Sequence, residues 1–247
     1  MAGVDPIPGE PAAVIETGEM RALGIADYHA GYESWLRHEE GVNAESRASA
    51  RRERVLRLLT ETDADRVVFL GDLAHFFGGP HGAERGEIEV LFERLPVPAT
   101  VVKGNHDGGI ETVAEPGVTV TDSDGVRLGD VGLVHGHTWP APDVLDAEVV
   151  CIGHEHPCVR LRDRVGGSRT VRAWLRGPLR AAPFERRYGD LDWWDPELVV
   201  FPRFNDLLGC KAVNDDPGFL APFLPEGLPE ADAYLLDGTR LGQYTEI

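Results

Sequence analysis

"VVKGNHDGG", residues 101–109, puts an amide, an imidazole and a carboxylate directly behind a β-branched pair. Val101 and Val102 read as the end of a buried strand, and Asn105, His106 and Asp107 follow as soon as Lys103 and Gly104 have ended it. The carboxyl ends of strands are where open α/β sheets gather their chemistry. The arrangement recurs in "GIADYH" (24–29), "VVFLGDLAH" (67–75), "LVHGH" (133–137) and "VVCIGHEH" (149–156), and seven of the nine histidines fall in these five stretches. In extended chain, residues two apart point the same way. Asp27 with His29, and His154 with His156, can therefore each face one ion pair, while Tyr28 and Glu155 turn elsewhere. Gly71, Gly104, Gly136 and Gly153 leave the backbone free to turn sharply or to approach a ligand.

Around these stretches the first half alternates strand and helix, the pattern of an α/β layered fold. "AAVIET" and "MRALGIAD" predict a hairpin about Gly18-Glu19. "AESRASARRERVLRLLTETDA" lacks Gly and Pro and sets Val55, Leu58, Leu59 and Thr62 on one helical face; "GAERGEIEVLFERL" does the same with Ile88, Leu91, Phe92 and Leu95. The second half is richer in strands. "GVTVTDSDGVRL" reads as a hairpin about Asp124-Gly125, and residues 176–197 read as a long loop. No repeat or composition break divides the chain, so residues 1–247 are expected to form a single domain.

The 42 acidic residues outnumber the 24 Lys plus Arg, for a net charge of −18, and only Lys103 and Lys211 are lysines. Two readings stand: a halophilic protein from a salty cytosol, where screening mutes self-repulsion, or an ordinary acidic enzyme. The start has no signal-peptide pattern and no apolar run is long enough to span a bilayer, so a soluble, cytoplasmic protein without membrane contact is expected. Three cysteines without C-x-x-C spacing argue against a disulfide framework, with Cys151 reading as a small core residue.

Taken in order, the five stretches resemble the calcineurin-like metallophosphoesterases, whose motifs are D-x-H, G-D-x-x-D or H, G-N-H-D or E, a later H, and G-H-x-H. The match runs from Ala26 to Pro157, and "IGHEHP" with the tail "FPRFNDLLG…LLDGTRLG" is similar to the prokaryotic subgroup labelled as related to double-strand-break repair nucleases. The resemblance implies a four-layer α/β/β/α sandwich with mixed β-sheets. It also implies a dinuclear metal centre, in which Asp27, His29 and His156 hold one ion, Asn105, His135 and His154 the other, and Asp72 bridges them. Such mixed oxygen and nitrogen shells suit manganese first, with Fe, Zn or Co as other candidates. The implied function is phosphoester hydrolysis through a metal-bridging hydroxide, with His106 as proton donor to the leaving oxygen.

One residue departs from the pattern. Much of the superfamily ends its second motif with an aspartate that orients the catalytic histidine, and here that position is His75. The orienting role for His106 then passes to Asp107 or to His75 itself. In the fourth motif His135 and His137 compete; by resemblance His135 is the ligand and His137 a contact behind it or to substrate. His38 and His81 lie outside the motifs and read as surface residues.

From Val159 to Arg187 nine arginines (160, 162, 164, 169, 172, 176, 180, 186 and 187) face only Asp163 and Glu185, with Trp174, Phe184, Tyr188, Trp193 and Trp194 in or beside the run. Arginine pairs bidentately with phosphate and aromatics stack on bases, so Arg172 and Arg176 are candidate substrate contacts and a nucleotide or nucleic acid the candidate substrate. The opposing reading makes these arginines outward residues of a hairpin, neutralised by the acidic surface. A phosphodiesterase or nuclease is the favoured function. The alternative is a non-catalytic metal-binding scaffold or interaction protein of the same fold.

Overall fold

The computed structural model describes residues 3–163, 165–215 and 218–247, so Arg164 of the arginine run lies outside the described residues. The chain begins with an antiparallel meander of β1 (Gly3–Pro6), β2 (Ala12–Glu16) and β3 (Arg21–Ile25). It crosses through α1 (Tyr32–His38) and α2 (Ala48–Thr62) to β4 (Arg66–Phe69), through α3 (Gly82–Arg94) to β5 (Ala99–Val102), and on to β6 (Val118–Thr121). β3, β4, β5 and β6 lie side by side and parallel, so the ends of β3, β4 and β5 open on one edge of this first sheet.

A second sheet takes up the rest: β7 (Val126–Leu128), β8 (Val131–Leu133), α4 (Pro142–Leu145), β9 (Val149–Ile152), β10 (Pro157–Arg162), β11 (Ser168–Pro178), α5 (Ala182–Tyr188), β12 (Glu197–Val200), β13 (Lys211–Ala212), β14 (Asp232–Leu235) and β15 (Arg240–Gln243). Its order is β13-β10-β11-β12-β9-β8-β7, with the β14–β15 hairpin paired to β11. β8, β9 and β12 are mutually parallel.

Strand alternation explains why the two sheets stack. Val68 and Leu70 of the β4 stretch and Val102 of β5 turn one way and meet Cys151, Trp174, Val199 and Phe201 from the second sheet. Val67, Phe69, Ala99 and Val101 turn the other way, onto Val55, Leu58 and Leu59 of α2 and Ile88, Leu91 and Phe92 of α3. On the far side Val150, Ile152, Leu175, Leu198 and Val200 pack with Leu145 of α4 and Phe184 of α5. Both faces of the central strands are thus buried, which is why their sequences are almost continuously apolar. The layers run helix, sheet, sheet, helix, as the motif resemblance implies.

One buried charge cluster fixes the helices near the strand ends. The Arg51 guanidinium, only 6% exposed, pairs with Glu33 of α1 and Glu87 of α3, each at 2.7 Å. Glu87 also accepts from the main-chain N–H of Gly31 at 2.9 Å. A buried guanidinium is tolerable only when its donors are met, and here meeting them pins the turn that follows His29.

Several expectations change. Residues 117–128 are no hairpin: β6 pairs with β5 and β7 with β8, so the turn at Gly125 carries the chain from one sheet to the other. Residues 176–197 are not one loop, because β11 continues to Pro178 and α5 follows. Trp174 is fully buried with its ring 4.7 Å from that of Phe201, closed to any base, and Phe184 is buried as well. Cys158 and Cys210 form a disulfide, because β10 and β13 are parallel neighbours whose register places Pro157 opposite Lys211. Cys151 is free and buried, as its sequence context predicts.

Candidate metal centre

Five strand ends converge. β3, β4 and β5 of the first sheet and β8 and β9 of the second deliver Asp27 and His29, Asp72 and His75, Asn105 and His106, His135, and His154 and His156 to one place, and all of these but the buried Asp27 and His135 line a cavity of about 560 Å³. Two trios that include a carboxylate have ligand atoms within 4.8 Å of one another, namely Asp27, His29 and His156, and Asp72, His135 and His154; a third, His29, His75 and His106, is all imidazole. Asp72 Oδ2 lies 3.5 Å from His29 Nε2 and 3.3 Å from His135 Nε2, so one carboxylate oxygen stands between the two groups. His156 Nε2 lies 3.3 Å from Asp27 Oδ1.

Local backbone geometry aims these side chains. Among the described residues seven non-glycine positions have positive φ, and five of them are Asp27, His29, Asp72, His154 and His156. That conformation costs of order 1 kcal/mol or more per residue and concentrates at functional sites. Gly71 and Gly104 permit the close approach: a Cβ at Gly71 would run into the His135 ring, and one at Gly104 into Asp72. His135 donates from Nδ1 to the Leu70 carbonyl at 2.7 Å, which turns Nε2 toward Asp72. The buried Glu155 carboxylate accepts from the N–H groups of Leu220 and Ala221, and the positive φ of His154 and His156 shows that this loop does not follow the extended alternation expected of it.

The buried side-chain atoms without a hydrogen-bond partner among the described residues include His29 Nε2, His135 Nε2 and Asn105 Oδ1. Buried polar atoms are normally paired, and these three face the same cavity edge as the carboxylates. The donor set of imidazole nitrogens and carboxylate or amide oxygens fits divalent metal ions.

Charge distribution within the centre is uneven. Burial opposes ionisation of Asp72, yet His135, His29 and His106 outweigh it and hold the carboxyl below the usual range. Asp27 is lowered likewise, burial being overcome by His156. Burial lowers His135, but Asp72 and Asp27 push it up to about 10, and His156 is raised by Asp27 against the same burial. By contrast burial takes His29 down to about 3 and His154 down to about 4. In each of these trios one imidazole is shifted toward its charged form by the carboxylate and another toward its neutral form by burial.

His106 stands over this centre. Its main-chain N–H donates to Asp72 Oδ1 at 3.0 Å, its Nε2 is 3.9 Å from Asp72 Oδ2, and its Nδ1 donates to the main-chain carbonyl of His75. Of the two orienting candidates, His75 is the one in contact, and it acts through its backbone. Its imidazole, lowered to about 4 by burial and by His106, pairs through Nδ1 with His29 Nδ1 at 3.0 Å. Asp107 does not touch the His106 ring. Its fully buried side chain accepts from the N–H groups of Ala74 and Gly104, which ties two site loops together. His137 lies outside both trios, with its ring 5.4 Å from His135 and 6.1 Å from His154. His38 and His81 are exposed, as expected.

The arginine run is largely spent on acids. Arg160 and Arg162 pair with Asp215, Arg180 with Glu230 and Arg186 with Glu226. Arg176 pairs with Glu197 at 2.6 Å and donates to the Val4 carbonyl, at the end of β12 remote from the centre. Arg172 pairs with Asp206 at 2.7 Å and donates to the Arg203 carbonyl. Neither of these two candidate substrate contacts lines the cavity. Sequence reasoning missed Tyr32, Trp35 and Phe77, which surround the histidines; isolated aromatics in loops and a short helix carry no periodic signal.

A profile of the calcineurin-like phosphoesterase superfamily domain matches residues 20–173, which span every strand end described above. No curated protein sequence matches the chain. Among solved structures, the nuclease MPE of Pseudomonas putida shares 20% identity with a TM-score of 0.56, over 95% of this chain and 98% of its own. YfcE, a phosphoesterase from E. coli, shares 18% identity with a TM-score of 0.38 over 90% of this chain and 97% of its own. With the matched profile laid over more than half its length and the ordered motifs gathered at one sheet edge, the chain belongs to the calcineurin-like phosphoesterase superfamily.

Proposed function

We propose that this chain is a dimetal phosphodiesterase acting on nucleotide esters. The observation that carries the reading is the position of Asp72 Oδ2 between the His29 and His135 nitrogens, with His106 3.9 Å away. Asp27, His29 and His156 would hold one divalent ion, Asn105, His135 and His154 a second, and Asp72 would reach both. Two such ions, manganese by preference, would supply Lewis-acid polarisation of the phosphoryl group and activation of a water. Asn105 adds a neutral oxygen donor, which limits negative charge where an anionic ester must approach. His106 donates its Nε2 proton to the leaving oxygen as the P–O bond breaks and the oxygen of a hydroxide, formed from water whose proton has already gone to solvent, bonds to phosphorus. The Nδ1 contact to the His75 carbonyl fixes the ring for that transfer.

Cavity size supports an ester larger than bare phosphate, since about 560 Å³ is in the range of small-molecule sites. A net charge of −18 disfavours tight, non-specific grip on a long duplex. The Pseudomonas putida protein of similar fold is itself described as a nuclease. The test assays chelated protein with manganese restored, on bis-p-nitrophenyl phosphate, p-nitrophenyl phosphate, cyclic nucleotides and oligonucleotides. Diesters should turn over, and His106→Ala should lower their turnover by roughly 10²–10⁴-fold. A protein that loads metal and cleaves none of these esters would be a scaffold instead.

A further inference from the structure

Phe77 is 71% exposed, yet one face of its ring is not free: it stacks on His106 with centroids 4.2 Å apart and planes at 28°. Behind His106 the His75 ring continues the stack at 5.3 Å and 11°. Trp35 closes the inner end, edge-on to His75 at 5.1 Å. Three rings thus form a column that is sealed at one end by protein and open to solvent at the other, and the middle ring is the one that faces Asp72.

An exposed aromatic alone needs no explanation. This one is set apart by its position, one ring spacing from the imidazole assigned to protonate the leaving oxygen. The loop that carries it is fixed from below, because Glu84 is buried and accepts from the main-chain N–H groups of His75 and Phe76. Offset stacking at such spacings is the preferred geometry for planar rings, and every nucleobase offers a π-face.

We propose that Phe77 is a base-stacking residue: the nucleobase of the leaving nucleoside lies on its outer face and extends the Phe77–His106–His75 column. The inference rests on the phosphodiesterase reading and adds that the enzyme recognises a base on the leaving side of the scissile phosphate. Specificity then comes from ring area rather than hydrogen bonding, so the four bases should be tolerated with purines favoured.

The test compares kcat/KM for the dinucleoside monophosphate of two thymidines with that for an analogue whose leaving nucleoside is abasic. The native protein should favour the base-bearing ester by roughly tenfold or more, the usual worth of one stacked base. Phe77→Ala and Phe77→Leu should collapse that preference, and Phe77→Trp should retain or widen it. Phe77 is exposed, so these variants should fold, and circular dichroism checks that they do. A preference unchanged in Phe77→Ala, or absent in the native protein, overturns the proposal while the phosphodiesterase reading survives. Failure to cleave either ester or bis-p-nitrophenyl phosphate overturns both.

Discussion

Gly104→Ala probes the centre without removing any ligand. The new Cβ would stand 2.9 Å from Asp72 Cγ, and closer still to Asp72 Oδ1 and to the Asp72 main-chain nitrogen. Rotating the Asp72 side chain relieves only part of this, because the main-chain atom stays in the way. Carbon contacts are comfortable at about 3.5–4.0 Å, so either the Asp72 turn or the Asn105 loop must give by roughly 1 Å. Overpacking of this kind costs about 1–3 kcal/mol of stability. A displacement near 1 Å at a reacting site costs on the order of 10²-fold in rate. The assay is kcat/KM on bis-p-nitrophenyl phosphate after manganese is restored, with metal content read by mass spectrometry. Gly108→Ala is the control, since its Cβ would meet nothing nearer than Gly78 N at 3.8 Å. A Gly104→Ala protein with native turnover and native metal content would refute the claim that Asp72 is held in a fixed position between the trios.

Metal uptake at pH 7 should release protons. His135 is pushed up to about 10, so the metal-free protein holds that proton there, and His156 is raised in the same direction, whereas His29 and His154, at about 3 and 4, are already neutral. Titration calorimetry in buffers of different ionisation enthalpy should find about one to two protons released per chain. The number should fall as pH rises through about 10, where His135 gives up its proton unaided; no buffer dependence at pH 7 would contradict the charge pattern. Gly86→Ala, on the exposed face of α3 with open space around its Cβ, should stabilise by about 0.8–1 kcal/mol, read as a higher denaturation midpoint. Asp107→Ala strands the N–H groups of Ala74 and Gly104 and should cost about 1–3 kcal/mol for each, whereas Asp107→Asn keeps an acceptor and should cost less.

The centre was legible because each ligand follows its strand within a few residues, so a local pattern of apolar run and polar end already carries the fold. The extended-chain argument for Asp27 with His29 and for His154 with His156 does not hold, because all four residues have positive φ and lie beyond their strands. What failed depends on partners far along the chain. Arg160 meets Asp215 and Arg176 meets Val4, and nothing near either arginine announces it. Asp107 belongs to a matching motif, but the two N–H groups it accepts from are ones that only the folded loops bring to it. β6 and β7 flank a good turn dipeptide yet join different sheets, because each finds a better-placed parallel or antiparallel neighbour. The Cys158–Cys210 pair exists only through the register of β10 and β13.

Anomalous diffraction from crystals of the manganese-loaded protein tests the two-ion centre most directly. Two peaks should flank the Asp72 carboxylate about 3.5–4 Å apart, one against Asp27, His29 and His156 and the other against Asn105, His135 and His154. A single peak, or peaks away from Asp72, would contradict the account.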